Sequence, residues 1–582
     1  MLEAILVSSL EKVGLSENME PLEKGNRLRV FAGETVSFQI AFRQGDESVT
    51  AAERGRMRVN VGIAPSRADS GNVEGEIVSS CGKTEFSCGD LAVRLREVLP
   101  VMCRKSCDPG SNDGDYLFYD ARMAPDLLRD FEGETKVNGG WRSLWVDVCA
   151  EATAKGGAYR LEFSLAPVGD GQGVTCGVDV SVCGRRLPGL SIPHTEWFHY
   201  DGIADYYGVE VFSPEFWRIL RNFIRIYVKR HCNTILTPIV TPPLDTEQGR
   251  ERTTVQLVGV ELGRGEYRLD FTNLENFLDI CLEEGIQYFE MCHLFTQWGA
   301  TAAPKVVAKV EGETRRIFGW ETPSDDPEYQ RFLATLLPAL KELLTRRGLL
   351  DRTFFHISDE PDLSSVQYRN AQSKVRGLLE GCTIMEAVSD YEYYEKGLVD
   401  IPVCAVNHIE PFLEKRPPRL WSYYCCAQTK EVPNRFISMP SWRNRIYGVL
   451  LYWLKIDGFL HWGFNFYNSG LSREKINPYE TPDAGAFFPA GDPFLVYPGE
   501  DGRPEESIRL MVLEEAVGDY RALVALEADM GRDAVMELIR REAGMELSFR
   551  QYPRDAAFIL KLREKVDGLL AERAANPGKY CF

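Results

Sequence analysis

A chain of 582 residues is longer than one hydrophobic core usually supports, so its length predicts two or three domains. The hydrophobic share of 44% and the charged share of 26% are ordinary for a globular protein and argue against a low-complexity chain. The net charge of −19 argues against nucleic acid or an anionic membrane surface as the main partner, because both select for basic patches.

The N-terminus and the cysteines indicate the compartment. Met1–Val7 has no basic region, and Glu3 interrupts its short apolar run, so it does not resemble a secretory signal. No apolar span of about 18 residues is present, so no transmembrane helix is predicted. Fifteen cysteines without a C-x-x-C pair are most simply reduced thiols in the core of a cytoplasmic protein. The adjacent Cys425 and Cys426 could be reactive, but packing is the favoured interpretation.

Short runs of alternating apolar and polar residues, broken by Gly, Asp, Asn and Pro, fill the chain up to residue 190. They include Arg27–Ala32, Thr35–Phe42, Trp145–Val148, Tyr159–Leu165 and Gly177–Val182. Period-two alternation at this spacing is typical of an antiparallel β-sandwich. Residues 1–190 are therefore predicted to form a β-sandwich domain.

From residue 191 the pattern changes to apolar runs that alternate with helical segments. The candidate strands are Trp197–Asp201, Thr234–Ile239, Gln287–Met291, Thr353–Ser358, Thr383–Val388, Val403–Asn407, Leu420–Tyr424 and Gly458–Gly463. Eight strands with intervening helices indicate a (β/α)8 TIM-like barrel, predicted over residues 191–530. Residues 531–582 are predicted to form a C-terminal helical appendage.

The run Thr353–Ser358 stops at two adjacent carboxylates, Asp359 and Glu360, followed by Pro361. Such a run is typical of a buried strand that delivers acids to its C-terminal end, where barrel enzymes keep their chemistry. The alternative is that both acids cap the next helix, since acids favour helix N-termini and Ser364–Gln367 has the spacing of a capping box.

Aromatic, hydroxyl and amide side chains stand at the other predicted strand ends. Sugar rings offer apolar faces for stacking and hydroxyl edges for hydrogen bonding, so this set predicts a sugar pocket. For any single aromatic residue, core packing is the favoured interpretation. The clustering at strand ends favours a binding site. The seven histidines show no H-E-x-x-H spacing, so no metal or other cofactor is predicted.

Glycoside hydrolysis normally needs a proton donor and a second carboxylate, which in many barrel enzymes follows strand seven. Here Leu420–Gln428 contains no acid. The absence points to a reaction in which the substrate's own 2-acetamido oxygen attacks the anomeric carbon. The enzyme then supplies a general acid/base, predicted to be Glu360, and a neighbouring carboxylate, Asp359. Since successive strand residues point to opposite sides, the two can share one pocket only if the strand ends or bulges there.

Four segments resemble glycoside hydrolase family 123, and the resemblance extends over about residues 197–520. They are Thr241–Thr246, His293–Ala300, Phe355–Pro361 and Ile456–Gly463. The resemblance implies a β-sandwich, a (β/α)8 barrel and an exo-acting β-N-acetylgalactosaminidase that works by substrate assistance. Carried onto this chain, it makes Asp359 the acetamido-stabilising residue and Glu360 the general acid/base. Its partner would be an oligosaccharide or glycoconjugate with terminal β-GalNAc, with no nucleic acid and no membrane insertion.

Further sugar contacts are predicted after several strands. The candidates are His293, Trp298, Tyr391, Tyr424, Trp462, Asn465 and Asp492. A core hydrogen-bonding role for His293 and a turn-capping role for Asp492 are the alternatives.

Two other functions remain open at this point. One is a conventional two-carboxylate glycosidase with Glu290 or Glu386 as nucleophile, although both lie inside predicted strands. The other is a catalytically silent glycan-binding protein. The residues alone do not separate GalNAc from GlcNAc, which differ at one stereocentre.

Overall fold

The structure is a computed structural model, and it describes residues 2–15, 19–22, 27–44, 56–65, 76–78, 85–137, 139–169, 171–361 and 366–575. Ser364, with which the predicted capping box begins, lies outside these residues, as does Met1. Within the described part of the chain, no helix combines the length and the apolar character needed to cross a membrane.

The N-terminal region consists of strands that form two packed sheets. The strands are β1 (Leu2–Ser8), β2 (Arg27–Ala32), β3 (Thr35–Gln44), β4 (Arg56–Pro65), β5 (Glu76–Val78), β6 (Glu85–Cys88), β7 (Leu91–Cys103), β8 (Arg122–Asp130), β9 (Glu134–Lys136), β10 (Arg142–Ala150), β11 (Gly156–Pro167) and β12 (Val174–Arg186). Pairing is antiparallel except between β2 and β12, which run parallel. Alternate residues such as Leu161, Phe163 and Leu165 of β11 point into a shared apolar core, as the period-two pattern predicts.

The next region closes into a barrel of parallel strands. Its elements are β13 (His194–Glu196), α1 (Tyr200–Tyr207), α2 (Pro214–Lys229), β14 (Thr234–Thr237), β15 (Gly259–Gly263), β16 (Glu266–Asp270), α3 (Thr272–Glu284), β17 (Tyr288–Met291), β18 (Val306–Val310), β19 (Glu313–Phe318), α4 (Pro327–Arg346), β20 (Thr353–Phe355), α5 (Val366–Leu378), β21 (Thr383–Val388), α6 (Glu392–Glu395), β22 (Ile401–Ala405), α7 (Glu410–Lys415), β23 (Trp421–Tyr423), α8 (Ser441–Trp453) and β24 (Gly458–His461). The barrel order is β13-β14-β17-β20-β21-β22-β23-β24. The predicted fold class is therefore confirmed.

The first barrel strand differs from its prediction. It is β13, which ends at Glu196, whereas the sequence pattern put it at Trp197–Asp201. Tyr200 and Asp201 instead begin helix α1. The prediction was wrong because an aromatic run has the same apolar signature in a strand and in the buried first turn of a helix.

A small four-stranded sheet, β16-β15-β18-β19, was not predicted. Its strands lie in the connections that follow the second and third barrel strands. The hairpins β15–β16 and β18–β19 are joined by parallel pairing between β15 and β18. Their outward residues are largely polar, so they lack the buried apolar runs by which the barrel strands were found.

The chain after the barrel returns to the sandwich and ends in helices. The elements are β25 (Val496–Tyr497), β26 (Glu505–Ser507), α9 (Ile508–Met530), α10 (Arg532–Ala543) and α11 (Ala556–Ala575). Strand β26 pairs with β8, so the larger sandwich sheet has the order β1-β3-β10-β7-β8-β26-β25. Ser507 then caps α9 by accepting a hydrogen bond from the N–H of Leu510.

Candidate active site

Asp359 and Glu360 lie beyond β20, the fourth barrel strand, at the end of the barrel where the parallel strands terminate. Asp359 is half-buried and Glu360 is exposed. The strand that carries them is buried along its whole length. The chain therefore delivers two acids from the barrel core to its open mouth.

The backbone turns sharply just before these acids. A single carboxylate oxygen, Oε1 of Glu386 on β21, accepts hydrogen bonds from the consecutive N–H groups of Ile357 and Ser358, the latter at 3.1 Å. In an extended strand, successive N–H groups point to opposite sides, so the strand has ended here. Glu360 itself has a left-handed backbone conformation, φ +42°. The turn provides the geometry that a shared pocket for both acids requires.

The environment of the pair disfavours two negative charges side by side, so one of the two carboxyl groups holds a proton. Withdrawal from water and the negative charges of Glu360 and Glu386 raise the pKa of Asp359 well above its ordinary value, while the charge of His356 opposes them. Withdrawal from water also raises the pKa of Glu360, and a hydrogen bond from the Trp298 side chain acts against this rise. An acid held protonated near neutral pH is suited to donate a proton.

Trp298 lies beside the pair, as predicted. Trp298 is 53% exposed, and no other tryptophan in the described part of the chain is as open to solvent. Its backbone N–H donates to the carbonyl oxygen of Asp359 at 3.1 Å. Its neighbour Gln297 accepts a hydrogen bond from the N–H of Asp245, which ties the loop after the second strand to the same place.

Tyr423, the last residue of β23, also faces the pair and is not among the site residues predicted from the sequence. Its hydroxyl has a pKa raised well above the ordinary value, by burial and by the charges of Cys425, Glu360 and Asp359. The adjacent Tyr424 was selected instead. Alternation along the strand puts Tyr424 in the core, where its ring contacts Tyr447 and its hydroxyl lies 3.4 Å from Asn444. Which of two neighbouring tyrosines faces the pocket depends on the strand's rotation, and the sequence does not give it.

His293 lies beneath the pair in a buried polar cluster. Its ring stacks on that of His356 with centroids 4.5 Å apart. His356 in turn lies between two glutamates, with Nε2 at 3.0 Å from Glu290 and Nδ1 at 3.5 Å from Glu386. Burial and the His356 charge lower the pKa of His293 well below its usual value, so it is neutral.

Three of these groups, His293, His356 and Glu386, lie close enough together to suggest a metal site. The two rings are inclined by only 27° in a stack, so their in-plane lone pairs do not converge on one point. Both nitrogens of His356 also face carboxylates already. The cluster is better described as an ion-pair network.

Trp462 and Asp492 form a second predicted part of the site. The indole of half-buried Trp462 donates to Oδ2 of Asp492 at 2.9 Å, and Oδ1 lies 3.3 Å from Nε2 of His461. Burial raises the pKa of Asp492 to about 7, with Arg435 opposing the rise. The charge of Asp492 and that of Glu360 both reach Cys426. Cys426 and Trp462 pack against the same apolar cluster of Phe466, Ala484 and Phe488, so Trp462 lies on the side of the barrel mouth that Cys426 shares with Glu360.

Two other predicted site residues, Asn465 and Tyr391, make their contacts with other residues of the fold. Asn465 is fully buried, and its amide oxygen and nitrogen bond to the backbone N–H and carbonyl of His199. The ring of Tyr391 packs on Phe412 and lies under the ammonium group of Lys415, 4.1 Å from the ring centroid. Neither residue is brought against the carboxyl pair by a described contact, and together with Tyr424 they are left out of the proposed site.

A separate cavity of about 690 Å³ lies between the sandwich and the C-terminal helices. Nearly half of its lining residues are charged, and several of them already form ion pairs, such as Arg445 with Glu515 and Arg563 with Asp567. It lies away from the strand ends and shares no residue with the site at the barrel mouth.

Comparisons with known proteins concern the family and the fold of the chain. The family model described as glycoside hydrolase 123, catalytic domain, matches residues 197–526. A family 123 glycoside hydrolase from Clostridium perfringens, described in connection with glycolipid glycan hydrolysis, has a similar structure over 99% of this chain and 99% of its own, with 14% identity and a TM-score of 0.71. At that identity the likeness shows the fold. A β-glucuronidase from Parabacteroides merdae aligns with 90% of this chain over 52% of its own length, at 10% identity. Its TM-score of 0.28 is too low to indicate a shared fold. No curated protein matches the chain significantly.

Proposed function

The chain belongs to glycoside hydrolase family 123, and from that premise we propose that it is a retaining exo-glycosidase that releases terminal β-linked N-acetylgalactosamine by substrate-assisted catalysis. The observation that carries the proposal is the pairing of two adjacent acids, Asp359 and Glu360, with an uncharged residue, Tyr423, at the end of the seventh strand. A conventional retaining enzyme needs a second carboxylate across the sugar ring from the acid. A substrate that supplies its own nucleophile does not.

In this mechanism Glu360 donates a proton to the leaving oxygen while the acetamido oxygen attacks the anomeric carbon from the opposite face. The raised pKa of Glu360 favours the protonated form that the first step requires. Asp359, ionised while Glu360 holds the proton of the pair, accepts the acetamido N–H as positive charge develops on the oxazolinium ring. Glu360, now ionised, removes a proton from water in the second step, and water opens the ring with net retention.

Tyr423 completes the proposed pocket. Its position at the strand end, within reach of the charges of both acids, suits a hydroxyl that orients the acetamido oxygen for attack. Trp298 and Trp462 offer aromatic surface on which a sugar ring can stack. His293 lies below this layer and acts on the site through His356.

The two-carboxylate alternative has less support. Its candidate nucleophiles, Glu290 and Glu386, are both completely buried and are paired with His356. A nucleophile must reach the anomeric carbon, and neither can do so without breaking this pairing. The silent glycan-binding alternative is disfavoured by the turn and hydrogen bonds that hold Asp359 and Glu360 at the mouth.

The test compares chromogenic β-GalNAc, β-GlcNAc and β-Gal glycosides, with and without a GalNAc-derived thiazoline, which mimics the oxazoline intermediate. Turnover of β-GalNAc alone, with strong inhibition by the thiazoline, is the expected result. Turnover of β-Gal at a similar rate would overturn substrate assistance, because that sugar has no acetamido group. Turnover of β-GlcNAc in preference would keep the mechanism and change the sugar. The description of the Clostridium perfringens enzyme makes glycolipid glycans the natural substrates to try next.

A further inference from the structure

We propose that Glu386 and His356 are positioning residues that hold the turn before the acids, so that Asp359 and Glu360 enter the pocket together. The roles of the two acids rest on the proposed function. The positioning rests on contacts that involve no substrate. Nothing in the sequence motif explains how two consecutive residues can share one pocket, and these contacts do.

The first contact is the anchoring of the backbone. Oε1 of Glu386 accepts the N–H groups of Ile357 and Ser358, and the Ser358 hydroxyl donates to the carbonyl oxygen of Thr296 at 2.9 Å. The N–H of Phe295 donates to the carbonyl oxygen of Ile357 at 2.9 Å. The turn is thus held from both sides, by strand β21 and by the loop after β17. Two buried N–H groups without this carboxylate would be left unsatisfied, which is costly.

The second contact fixes Glu386 itself. Burial alone would lower the pKa of His356, but hydrogen bonds to Glu290 and Glu386 and their charges raise it to about 9, so the ring is a cation at neutral pH. Glu290 is anchored in turn by the indole N–H of Trp197 at 2.9 Å. The chain of groups therefore runs from Trp197 through Glu290 and His356 to Glu386, and it ends on the catalytic turn.

The arrangement also has an electrostatic consequence for Asp359. The charged groups that face Asp359 are Glu360 and Glu386, which raise its pKa, and His356, which lowers it. Removing the charge of Glu386 while keeping its oxygen should therefore lower the pKa of Asp359.

Two variants separate anchoring from charge. Glu386→Gln keeps an oxygen acceptor and the side-chain size, whereas Glu386→Met removes the acceptor. For Glu386→Met we expect kcat to fall about 10²-fold with KM changed less than threefold, since a misplaced catalytic group lowers turnover at unchanged binding. For Glu386→Gln we expect a smaller fall in kcat. The acid limb of the pH profile, which follows the ionisation of Asp359, should move to lower pH because the pKa of Asp359 falls. Glu506→Gln, which breaks a buried ion pair outside the mouth, is the control: it should lower Tm without moving the pH profile.

A purely structural role for Glu386 would lower Tm in both variants and leave kcat and the pH profile of the folded enzyme unchanged, and this result would overturn the proposal. Amide hydrogen exchange over residues 355–361 gives a readout without catalysis. Slow exchange of the Ile357 and Ser358 amides that accelerates in Glu386→Met supports the anchoring, and unchanged exchange overturns it. If the wild type hydrolyses none of the glycosides, the proposed function fails, and the exchange experiment still decides the anchoring.

Discussion

The backbone N–H of Trp298 donates to the carbonyl oxygen of Asp359 at 3.1 Å, which fastens the loop after the third barrel strand to the end of the fourth. Trp298 has a left-handed backbone, φ +60°, close to that of Glu360. Left-handed conformations are costly for residues with a side chain and persist where the surrounding structure imposes them. Here they bring the Trp298 indole to the Glu360 carboxyl group.

Trp298→Phe should move the alkaline limb of kcat/KM to higher pH. The indole hydrogen bond lowers the pKa of Glu360, so its loss raises that pKa further. Glu360 donates only when protonated, and activity is lost as the pH rises through its pKa, so a higher pKa extends activity upward. Phenylalanine keeps an aromatic face for the sugar. The measurement is a pH profile with a chromogenic β-GalNAc glycoside.

Trp320→Phe is the matched control for this variant, because the Trp320 indole donates to the carbonyl oxygen of Arg250 and not to a catalytic acid. Its alkaline limb should stay where it is in the wild type. A limb that moves to lower pH in Trp298→Phe would contradict the assignment of the hydrogen bond.

Glu360→Gln should separate substrates by leaving group. Glutamine has nearly the size of glutamate but cannot protonate the departing oxygen. We expect turnover of a β-GalNAc substrate with a poor leaving group to fall about 10²- to 10⁴-fold, the range typical of general acid catalysis. A substrate with a highly activated leaving group needs no proton and should lose far less. Steady-state rates on the two substrates make the comparison, and equal losses would remove Glu360 from the role of acid.

Tyr423→Phe should lower kcat/KM about 10²-fold, a loss like that seen when one preorganised donor is removed from an active site. It should also weaken binding of the thiazoline inhibitor, whose ring reproduces the cyclised acetamido group. Tyr424→Phe provides the control from the neighbouring position. Its hydroxyl faces Asn444 in the core, so stability rather than rate should change. Comparable kinetic losses in both variants would argue against a specific contact between Tyr423 and the substrate.

Much of the barrel could be predicted because its strands are short, fully buried runs that stand out from amphipathic helices. The fourth barrel strand was predicted for the same reason, but β20 ends at Phe355 and not at the predicted Ser358, because the Ile357 and Ser358 N–H groups bond to Glu386. Helix α2 begins at a point that the sequence marks chemically, since the Ser213 side chain caps it and Pro214 occupies its first turn. The sequence did not predict which way the residues of a strand point, or which residues distant in the chain meet in the fold. Nothing local distinguishes Tyr423 from Tyr424, or shows that Asn465 pairs with the backbone of His199.

The buried glutamates illustrate the same limit. As letters in a strand, Glu290 and Glu386 suggested nucleophiles of an alternative mechanism. Both pair with His356, which follows strand β20, whereas Glu290 belongs to β17 and Glu386 to β21. The pairing therefore forms only when these three strands come together in the barrel. Long-range pairing of this kind decides whether a buried carboxylate is a reactant or a support, and the sequence contains no periodic signal for it.

The last prediction concerns the junction between sandwich and barrel, where Glu506 of β26 is buried among arginines. Its Oε2 accepts from Arg96 of β7 at 2.6 Å, and it also pairs with Arg230 at the end of α2. Burial alone would raise the pKa of Glu506, but Arg230 and Arg96 hold it well below its ordinary value. The pair links a sandwich strand to a barrel helix through one carboxylate.

A carboxylate with a depressed folded-state pKa contributes stability that is present above its unfolded pKa, about 4.3, and is lost as the pH falls toward the folded value. We therefore expect Glu506→Gln to lower the free energy of unfolding by about 3–5 kcal/mol at pH 7, because it leaves two buried arginines short of a partner. Below about pH 4 the difference between variant and wild type should shrink. Thermal or denaturant unfolding across this pH range measures both. Glu505→Gln is the control, since its pair with Arg129 is partly exposed and should contribute only about 0–1 kcal/mol. A Glu506→Gln deficit that stays constant down to pH 3 would show that the arginines do not hold this carboxylate in its charged form.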